Sequence, residues 1–475
     1  MKAKQLHKLG VPRGKATRLT LRLIDAALSS GVGKDELRPR IAGVVADPAG
    51  SVEDPIFGDL ARMLLPHDHP DSPHREYKPH PEGSAPWRQW GEDLDANALE
   101  QMDNAARLPI AVRGALMPDA HGGYGLPIGG VLATDNAVIP YAVGVDIACR
   151  MKLTVLDLPA DLLQKQSQRL IDAIERNTRF GMGANFAKRP CDHPVMEEDW
   201  SITSITRQQR EKAHQQLGTS GSGNHFVEFG ELRVEDAQAA SALDLPGPGT
   251  YLALLSHSGS RGPGATVAGY YSRLAMHRHP ELPRHLAHLA WLDLDRAEGQ
   301  EYWAAMELMG RYASANHACI HRNILRHLDA QAVMTVENHH NFAWRERHEG
   351  REVIVHRKGA TPAGEGVLGV IPGSMTAPAF IVRGRGEPAS LNSAAHGAGR
   401  VMSRREARQT YRWKQVRDYL EHRGVTVLSA GLDEVPFVYK DIEKVMSLQQ
   451  DLVEPLARFQ PRIVKMAPEG ERPED

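Results

Sequence analysis

Cysteine is scarce in this chain, with three in 475 residues, at positions 149, 191 and 319. An odd number so widely spread builds no disulfide framework and points to a reduced, cytosolic setting. A surplus of one charge is lacking too. The formal net charge is −2, which excludes a uniformly basic nucleic-acid binder, so any RNA or DNA surface has to be a local patch. Long apolar runs are missing as well. The most apolar window, IGGVLATDNAVIPYAVGVDIA, is broken by Asp135, Pro140 and Asp146, and it predicts buried strands rather than a membrane span. The N-terminal MKAKQLHKLGVPRGK is basic but no apolar core follows it, which argues against a secretory signal. We therefore expect a soluble, cytoplasmic protein with no membrane partner.

What is abundant is histidine, with 23 residues, a first sign of metal chemistry. Residues 1 to about 65 carry apolar side chains at helical spacing in ATRLTLRLIDAAL and PIFGDLARMLL. PHDHPDSPHREYKPHPEGSAP then breaks every pattern. His67, His69, His74 and His80 lie there, but interleaved prolines favour a linker or surface loop over a metal site. We therefore assign 1–86 to a helical extension with a Pro/His-rich linker, 87–466 to one catalytic domain, and 467–475 to a disordered tail. Within 87–466, DANALEQMDNAARLP reads as a helix, and 270–330 as helical. REVIVHRKGA, VLGVIPG and AFIVRG read as strands, and SRREARQTYRWKQVRDYLEH and YKDIEKVMSLQQDLVEPLARF as two further helices. No internal repeat stands out. The mixture predicts an α+β fold, mixed sheets with surrounding helices.

Five short segments set metal-competent side chains beside glycine or in clusters: VGVDIACR (Asp146, Cys149), GSGNHFVEFG (Asn224, His225, Glu228), LLSHSGSRG (His257, Arg261), ENHHNFA (His339, His340) and HGAGR (His396). A thiolate can bridge two ions, and carboxylate with imidazoles suits Mn²⁺, Zn²⁺ or Fe²⁺. A lone histidine after a strand is usually a hydrogen-bonded core residue; here the joint pattern predicts a dinuclear site. His317 and His321 stand one helical turn apart, yet the glutamate of an HExxH motif is missing. We expect them to be structural or surface residues. In NSAAHGAGRVMSRR, Gly397 and Gly399 would let backbone N–H groups approach phosphate oxygens. Arg400, Arg404, Arg405, Arg408, Arg412 and Lys414 then face a single Glu406, a local basic face on a nearly neutral chain.

Taken together, MPDAHGGYGLPIGG, VGVDIAC, GSGNHFVE, HSGSRG, HHN, HRKGAT, IPGSM, HGAGRVMSR and YKDIEKVM resemble the RtcB family of RNA ligases, in family order from Trp87 to Lys465. The resemblance implies GTP- and Mn²⁺-dependent joining of an RNA 3′-phosphate or 2′,3′-cyclic phosphate to a 5′-hydroxyl, in RNA repair or tRNA splicing. It implies two Mn²⁺ ions held by Asp146, Cys149, His225, His257 and His340, with Cys149 as the bridge. His396 matches the histidine that becomes guanylylated. Asn224 and the turn His396, Gly397, Ala398 and Gly399 would hold the GTP phosphates. Phe226, Glu228, Ser374, Tyr439 and Lys465 match the guanosine pocket, and Arg261, Arg400 and Arg404 would grip RNA phosphates. Independently of the name, an imidazole can attack an α-phosphate and split one transfer into two easier steps.

Arg150 departs from the glycine of many relatives, and contact with a phosphate or restriction of substrate entry both stay open. The physiological RNA and any accessory activating protein are not legible. Two rivals remain: a self-guanylylating enzyme that caps 3′-phosphate ends of RNA or DNA with little sealing, and a binding paralogue without catalysis, against which the intact His396 argues. Metal-dependent phosphatase or nuclease chemistry would leave HGAGR and Lys465 without a role.

Overall fold

A computed structural model describes residues 3–12, 15–29, 32–65, 77–78, 80–186 and 191–472. The chain divides into two units, Met1–Arg75 and Glu76–Asp475. His67, His69 and His74 lie outside the described residues, whereas His80 accepts a hydrogen bond from the Glu82 backbone at its ring Nδ1 (3.2 Å).

The first unit is helical, as its periodicity predicts, with helices Ala3–Lys8, Lys15–Ser29, Lys34–Ala46 and Gly58–Leu64. In the second of these, Ala16, Thr20, Ile24 and Ala27 are buried. That spacing returns one stripe of the helix to the core every turn. Ile24 packs in a small core with Leu6, Leu37, Ile41, Phe57 and Leu60.

Two sheets organise the second unit, which is α+β. One has five strands in the order Trp87–Gln89, Ala111–His121, Ile128–Thr134, Arg351–Lys358 and Asn341–His348. The other runs Leu368–Ile371, Ala379–Gly384, Val453–Met466, Phe226–Val234, Gly249–Ser258, Arg150–Leu156 and Ala332–His339, with Thr426–Ser429 added alongside Val453–Met466. Pairing is antiparallel except where Trp87–Gln89 meets Ala111–His121 and Thr426–Ser429 meets Val453–Met466. One residue, His340, separates Ala332–His339 in the large sheet from Asn341–His348 in the other. A short ladder of Ala360–Pro362 with Ser393–Ala395 leads directly into His396. The 32-residue helix Ala297–Leu328 packs against the large sheet and ends at Asp329, whose left-handed backbone (φ 51°) closes its C-terminus.

Most elements form where the sequence places them, including the helix Ala96–Ala106 and the strands Arg351–Lys358, Leu368–Ile371 and Ala379–Gly384. Four expectations change. The segment 439–459 yields only the helix Ile442–Ser447, and from Val453 it is a strand. Leu452, Leu456 and Phe459 are all buried at spacings that imitate a helix. The true period is two, with Phe459 and Ile463 inward and Arg458 outward, and the register shifts beside Pro455 and Pro461 accommodate prolines that cannot donate to a ladder. The segment 403–422 is two helices, Arg404–Thr410 and Trp413–His422, because Tyr411 and Arg412 adopt extended backbone and the Tyr411 ring packs on Phe437. The apolar window 128–148 supplies the strands Ile128–Thr134 and Ala137–Val138 but then turns helical at Pro140–Val143, where proline suits the first turn. Finally, residues 467–472 are tied down rather than disordered. Glu469 accepts from the Leu432 backbone (2.8 Å), and the Arg472 carbonyl accepts from Ser222 Oγ (2.6 Å). Residues 473–475 lie outside the described residues.

Candidate metal centre and nucleophile

Sheet register gathers the donor side chains. Phe226 pairs with His257, His257 with Met151, and Arg150 with both Ser258 and His339. Residues 149, 225, 257 and 340 therefore fall at one end of four consecutive strands. Cys149 closes the loop that begins at Asp146: its N–H donates to the Asp146 carbonyl (3.2 Å), and its own carbonyl accepts from His340 N–H (3.0 Å).

Cys149 Sγ lies 3.3 Å from His225 Nε2 and 3.0 Å from His257 Nε2. His257 Nε2 is 3.2 Å from His340 Nε2, and His225 Nε2 is 3.1 Å from Asp146 Oδ2. All five residues are buried. The Asn224 carbonyl accepts from His257 Nδ1 (3.0 Å), so that nitrogen carries the proton and Nε2 presents its lone pair to the cluster. Burial, with imidazole neighbours, holds His257 and His340 well below the ordinary histidine range. They are neutral at pH 7, the form that binds metal. Burial alone would raise the Asp146 carboxyl, but hydrogen bonds from His225 and Cys149 and the nearby Arg261 charge hold it below its usual value.

A thiol, three imidazoles and a carboxylate converging in a buried site fit one or two borderline divalent cations. Gly259 shows how closely the site is built. A Cβ there would stand 2.1 Å from Asp146 Oδ2, so only glycine lets that strand end pass the carboxylate. The sulfur and two of the imidazoles, Cys149, His225 and His257, already form a compact metal-competent trio.

His396 stands beside this cluster, its ring 4.9 Å from that of His340 between centroids. Asp119, fully buried on the strand Ala111–His121, orients it. One oxygen, Oδ2, accepts from His396 Nδ1 (2.7 Å), from His396 N–H (3.2 Å) and from Gly397 N–H (3.3 Å). With its proton directed at Asp119, the imidazole keeps its lone pair on Nε2, and its side chain remains 15 % exposed. Gly399 has φ +71°, and a Cβ there would meet the Asp119 carbonyl at 2.1 Å. That glycine is accounted for by the approach of the loop to the strand, whatever ligand the loop holds.

The other expected residues sort themselves by place. Phe226 and Glu228, two residues apart, share one face of their strand and pair with Met466 and Val464, whereas Lys465 pairs with Val227 and so faces the other side of the sheet, which corrects its expected place in one pocket with them. Phe226 and Tyr439 border the same small core, which includes Met375, the neighbour of Ser374. The Phe226 ring lies 5.6 Å from that of His257. Burial raises the Glu228 carboxyl well above its usual range, favouring the neutral form. Lys465 Nζ is 2.7 Å from Glu175, and Ser374 Oγ accepts from Ala377 N–H (3.2 Å).

Arg261, buried with φ 57°, donates to Thr219 Oγ1 (3.2 Å) and the Gly181 carbonyl (2.9 Å). Arg400 and Arg404 meet a buried acidic pair, Asp433 and Glu434. Arg400 donates to the Asp433 carbonyl (2.8 Å), Arg404 to Asp433 Oδ2 (3.1 Å) and to Glu434, and Arg408 joins them at 2.9 Å. Tyr439 OH also donates to Glu434. The basic face read from a local window is thus partly neutralised by acids some thirty residues further on.

Arg150 turns away from the cluster. Its guanidinium pairs with Glu337, which also takes Lys152 (2.9 Å) and Ser314 (2.8 Å). His317 and His321 are structural, as expected. His317 Nε2 donates to the Ser258 carbonyl (3.1 Å), so its Nδ1 accepts from Ser256 Oγ (2.7 Å). Ser256 in turn accepts from His321 Nε2 (2.8 Å), whose Nδ1 takes the Thr154 hydroxyl (2.8 Å). Burial keeps both rings neutral.

Residue-by-residue reading missed Asp119, Asp433, Glu434 and Lys358. Asp119 lies in MPDAHGGYG, where the signal was present but no role had been attached. Lys358, buried and pushed down to about 7, donates its ammonium to the Tyr124 carbonyl (2.5 Å).

Residues 101–466 match the model of the family described as tRNA-splicing ligase RtcB. The RNA-splicing ligase RtcB of Escherichia coli K12 is 34 % identical, the match covering 78 % of this chain and 95 % of that one. The tRNA-splicing ligase RtcB of Thermococcus kodakarensis is 30 % identical over 76 % and 89 %. The RNA-splicing ligase RtcB of Mycobacterium tuberculosis is 33 % identical over 76 % and 98 %.

Proposed function

The chain belongs to the RtcB family, and from that premise we propose that it joins an RNA 3′-phosphate or 2′,3′-cyclic phosphate to a 5′-hydroxyl, using GTP and two Mn²⁺ ions. The observation that carries this reading is the Asp119–His396 pair beside five metal-competent donors. Asp119 holds the proton on Nδ1, so Nε2 can attack the α-phosphate of GTP and displace pyrophosphate. As the imidazole takes on positive charge in the phosphoramidate, the Asp119 carboxylate offsets it through the same hydrogen bond.

Asp146, Cys149, His225, His257 and His340 would hold the ions, which when bound neutralise phosphate charge. The guanosine would rest among Phe226, Glu228, Ser374 and Tyr439, and its phosphates against Asn224 and the turn His396, Gly397, Ala398 and Gly399. Passing the guanylyl group to the RNA 3′-phosphate would activate that end, and attack by the 5′-hydroxyl would release GMP. Arg261, Arg400 and Arg404 would steady the RNA phosphates, with the latter two exchanging Asp433 and Glu434 for RNA.

Purified protein with Mn²⁺ and α-labelled GTP should form a covalent protein–GMP adduct, absent in His396→Ala and discharged as RNA with a 3′-phosphate and 5′-hydroxyl is joined. An adduct of full yield in His396→Ala would refute the assignment. Adduct ending as capped, unjoined RNA would favour the capping rival.

A further inference from the structure

Away from the metal centre, two other cysteines meet. Cys319 lies fully buried on the helix Ala297–Leu328, and Cys191 stands on a neighbouring segment at 8 % exposure. The two thiols are neighbours, each acting on the ionisation of the other. One guanidinium nitrogen, Arg322 Nη2, lies 2.8 Å from Cys191 Sγ and 3.5 Å from Cys319 Sγ, and it also donates to the Asp192 carbonyl (2.8 Å). Gly218 leaves the space between them open. A Cβ there would stand 3.3 Å from Cys319 Cβ and 3.8 Å from Cys191 Cβ.

We propose that Cys191 and Cys319 form a reversible redox site in which a small hydroperoxide, such as hydrogen peroxide, converts the thiol pair to a disulfide. The geometry assigns the roles. Arg322 Nη2 stands closer to Cys191 Sγ than to Cys319 Sγ, so Cys191 is the thiolate, while Cys319 is the proton donor. In agreement, the Cys319 hydrogen bond and then Arg322 pull Cys191 down to about 6 against the opposing effect of burial, and Cys319 is raised.

Cys191 thiolate attacks one peroxide oxygen, breaking the O–O bond to give Cys191 sulfenic acid and hydroxide, which takes a proton from solvent. Cys319 sulfur then attacks the Cys191 sulfur. Its proton leaves with the sulfenic hydroxyl as water, and the two electrons lost by the sulfurs reside in the reduced oxygens.

The bond would reach the site described above through one helical turn. Asn316, three residues before Cys319, accepts from Gly218 N–H (2.7 Å) and donates to the Thr219 (2.9 Å) and Gly259 (3.4 Å) carbonyls. Oxidation therefore ties the 191 segment to the turn that braces the loops flanking Asp146 and Asn224.

The test treats the full chain with hydrogen peroxide at pH 7, quenches with alkylating reagent, and maps peptides without reduction. We expect a Cys191–Cys319 linked peptide, removed by a dithiol reductant and formed at the same rate in Cys149→Ser. In Cys319→Ser no link forms, and Cys191 is trapped as its sulfenic acid by dimedone. Arg322→Leu should slow linking severalfold, because the thiolate loses its cation. Accumulation of Cys191 sulfenic or sulfinic acid without a link in the unmodified sequence would overturn the proposal. So would a Cys191 that stays reduced while Cys149 oxidises.

Discussion

Replacing Asp119 by asparagine separates two things that the carboxylate does for His396. All three donors, His396 Nδ1 and the N–H groups of His396 and Gly397, converge on Oδ2, while the buried Oδ1 has no hydrogen-bond partner among the described residues. An amide can therefore place its oxygen where Oδ2 stands and its NH₂ where Oδ1 stands, with the imidazole orientation unchanged. What is lost is charge. A hydrogen bond to a charged group is worth about 1.5–3 kcal/mol against about 0.5–1.5 for a neutral one, a difference on the order of 1.4 kcal/mol, or about tenfold in rate. Asp119→Asn should thus slow formation of the protein–GMP adduct by about tenfold with the fold intact. Asp119→Ala should slow it by about 10³-fold or more, since the imidazole loses its anchor and its proton can move to Nε2. Rapid-quench measurement of adduct formation at saturating GTP, with circular dichroism as the fold control, decides it. If Asn is as slow as Ala, the amide does not hold the tautomer and the one-oxygen argument fails. If Ala matches the unaltered protein, Asp119 does not position His396 at all.

Gly399→Ala puts a Cβ 2.1 Å from the Asp119 carbonyl at φ +71°, so we expect a loss of about 2–4 kcal/mol in denaturant unfolding together with loss of the adduct. His121, His317, His339 and His356 are held below the usual histidine range by burial, at about 4, 3, 3 and 4. The unfolded chain binds these protons first, so metal-free protein should lose stability as pH falls below about 6.5, on the order of 2 kcal/mol per ring at pH 5, read as a falling unfolding midpoint. Lys358 works in the alkaline range: lowered from 10.5 to about 7 by burial, it is neutral in the fold where the unfolded chain still holds its proton. Stability attributable to it should rise between pH 7 and 10 by roughly 4 kcal/mol, and Lys358→Met should flatten that rise relative to the unaltered chain. A flat difference between the two would show that the ammonium stays charged.

Much of the site could be read in advance because its chemistry depends on residue type. Cysteine, histidine and aspartate beside glycine announce themselves, and Asp146, Cys149, His225, His257 and His340 do fall into one cluster. What could not be read is partnership across distance. Asp119 serves a histidine 277 positions away, and nothing local marks a carboxylate as an orienting group. The Asp433 and Glu434 pair likewise lies beyond any window that would show it neutralising Arg400 and Arg404. Arg150 reads as an intruder until Glu337 is seen behind it. In the fold the error had the same source. Leu452, Leu456 and Phe459 satisfy a helical period, and only the neighbouring strands Ala379–Gly384 and Phe226–Val234 decide in favour of extension.

His340 has a double membership that bears on how the enzyme can be switched off. It is the single residue between a strand of the large sheet and a strand of the five-stranded one. Asp146, Cys149, His225 and His257 belong to the large-sheet side, whereas Asp119, which steers the nucleophile, rides on the other. A cation gripping His340 together with His257 would therefore act as a rivet through the seam, and its removal would loosen the registration of nucleophile and donors at the same moment. Chelation should then disable the protein twice over, once by withdrawing charge and once by letting the two halves of the reaction drift out of alignment.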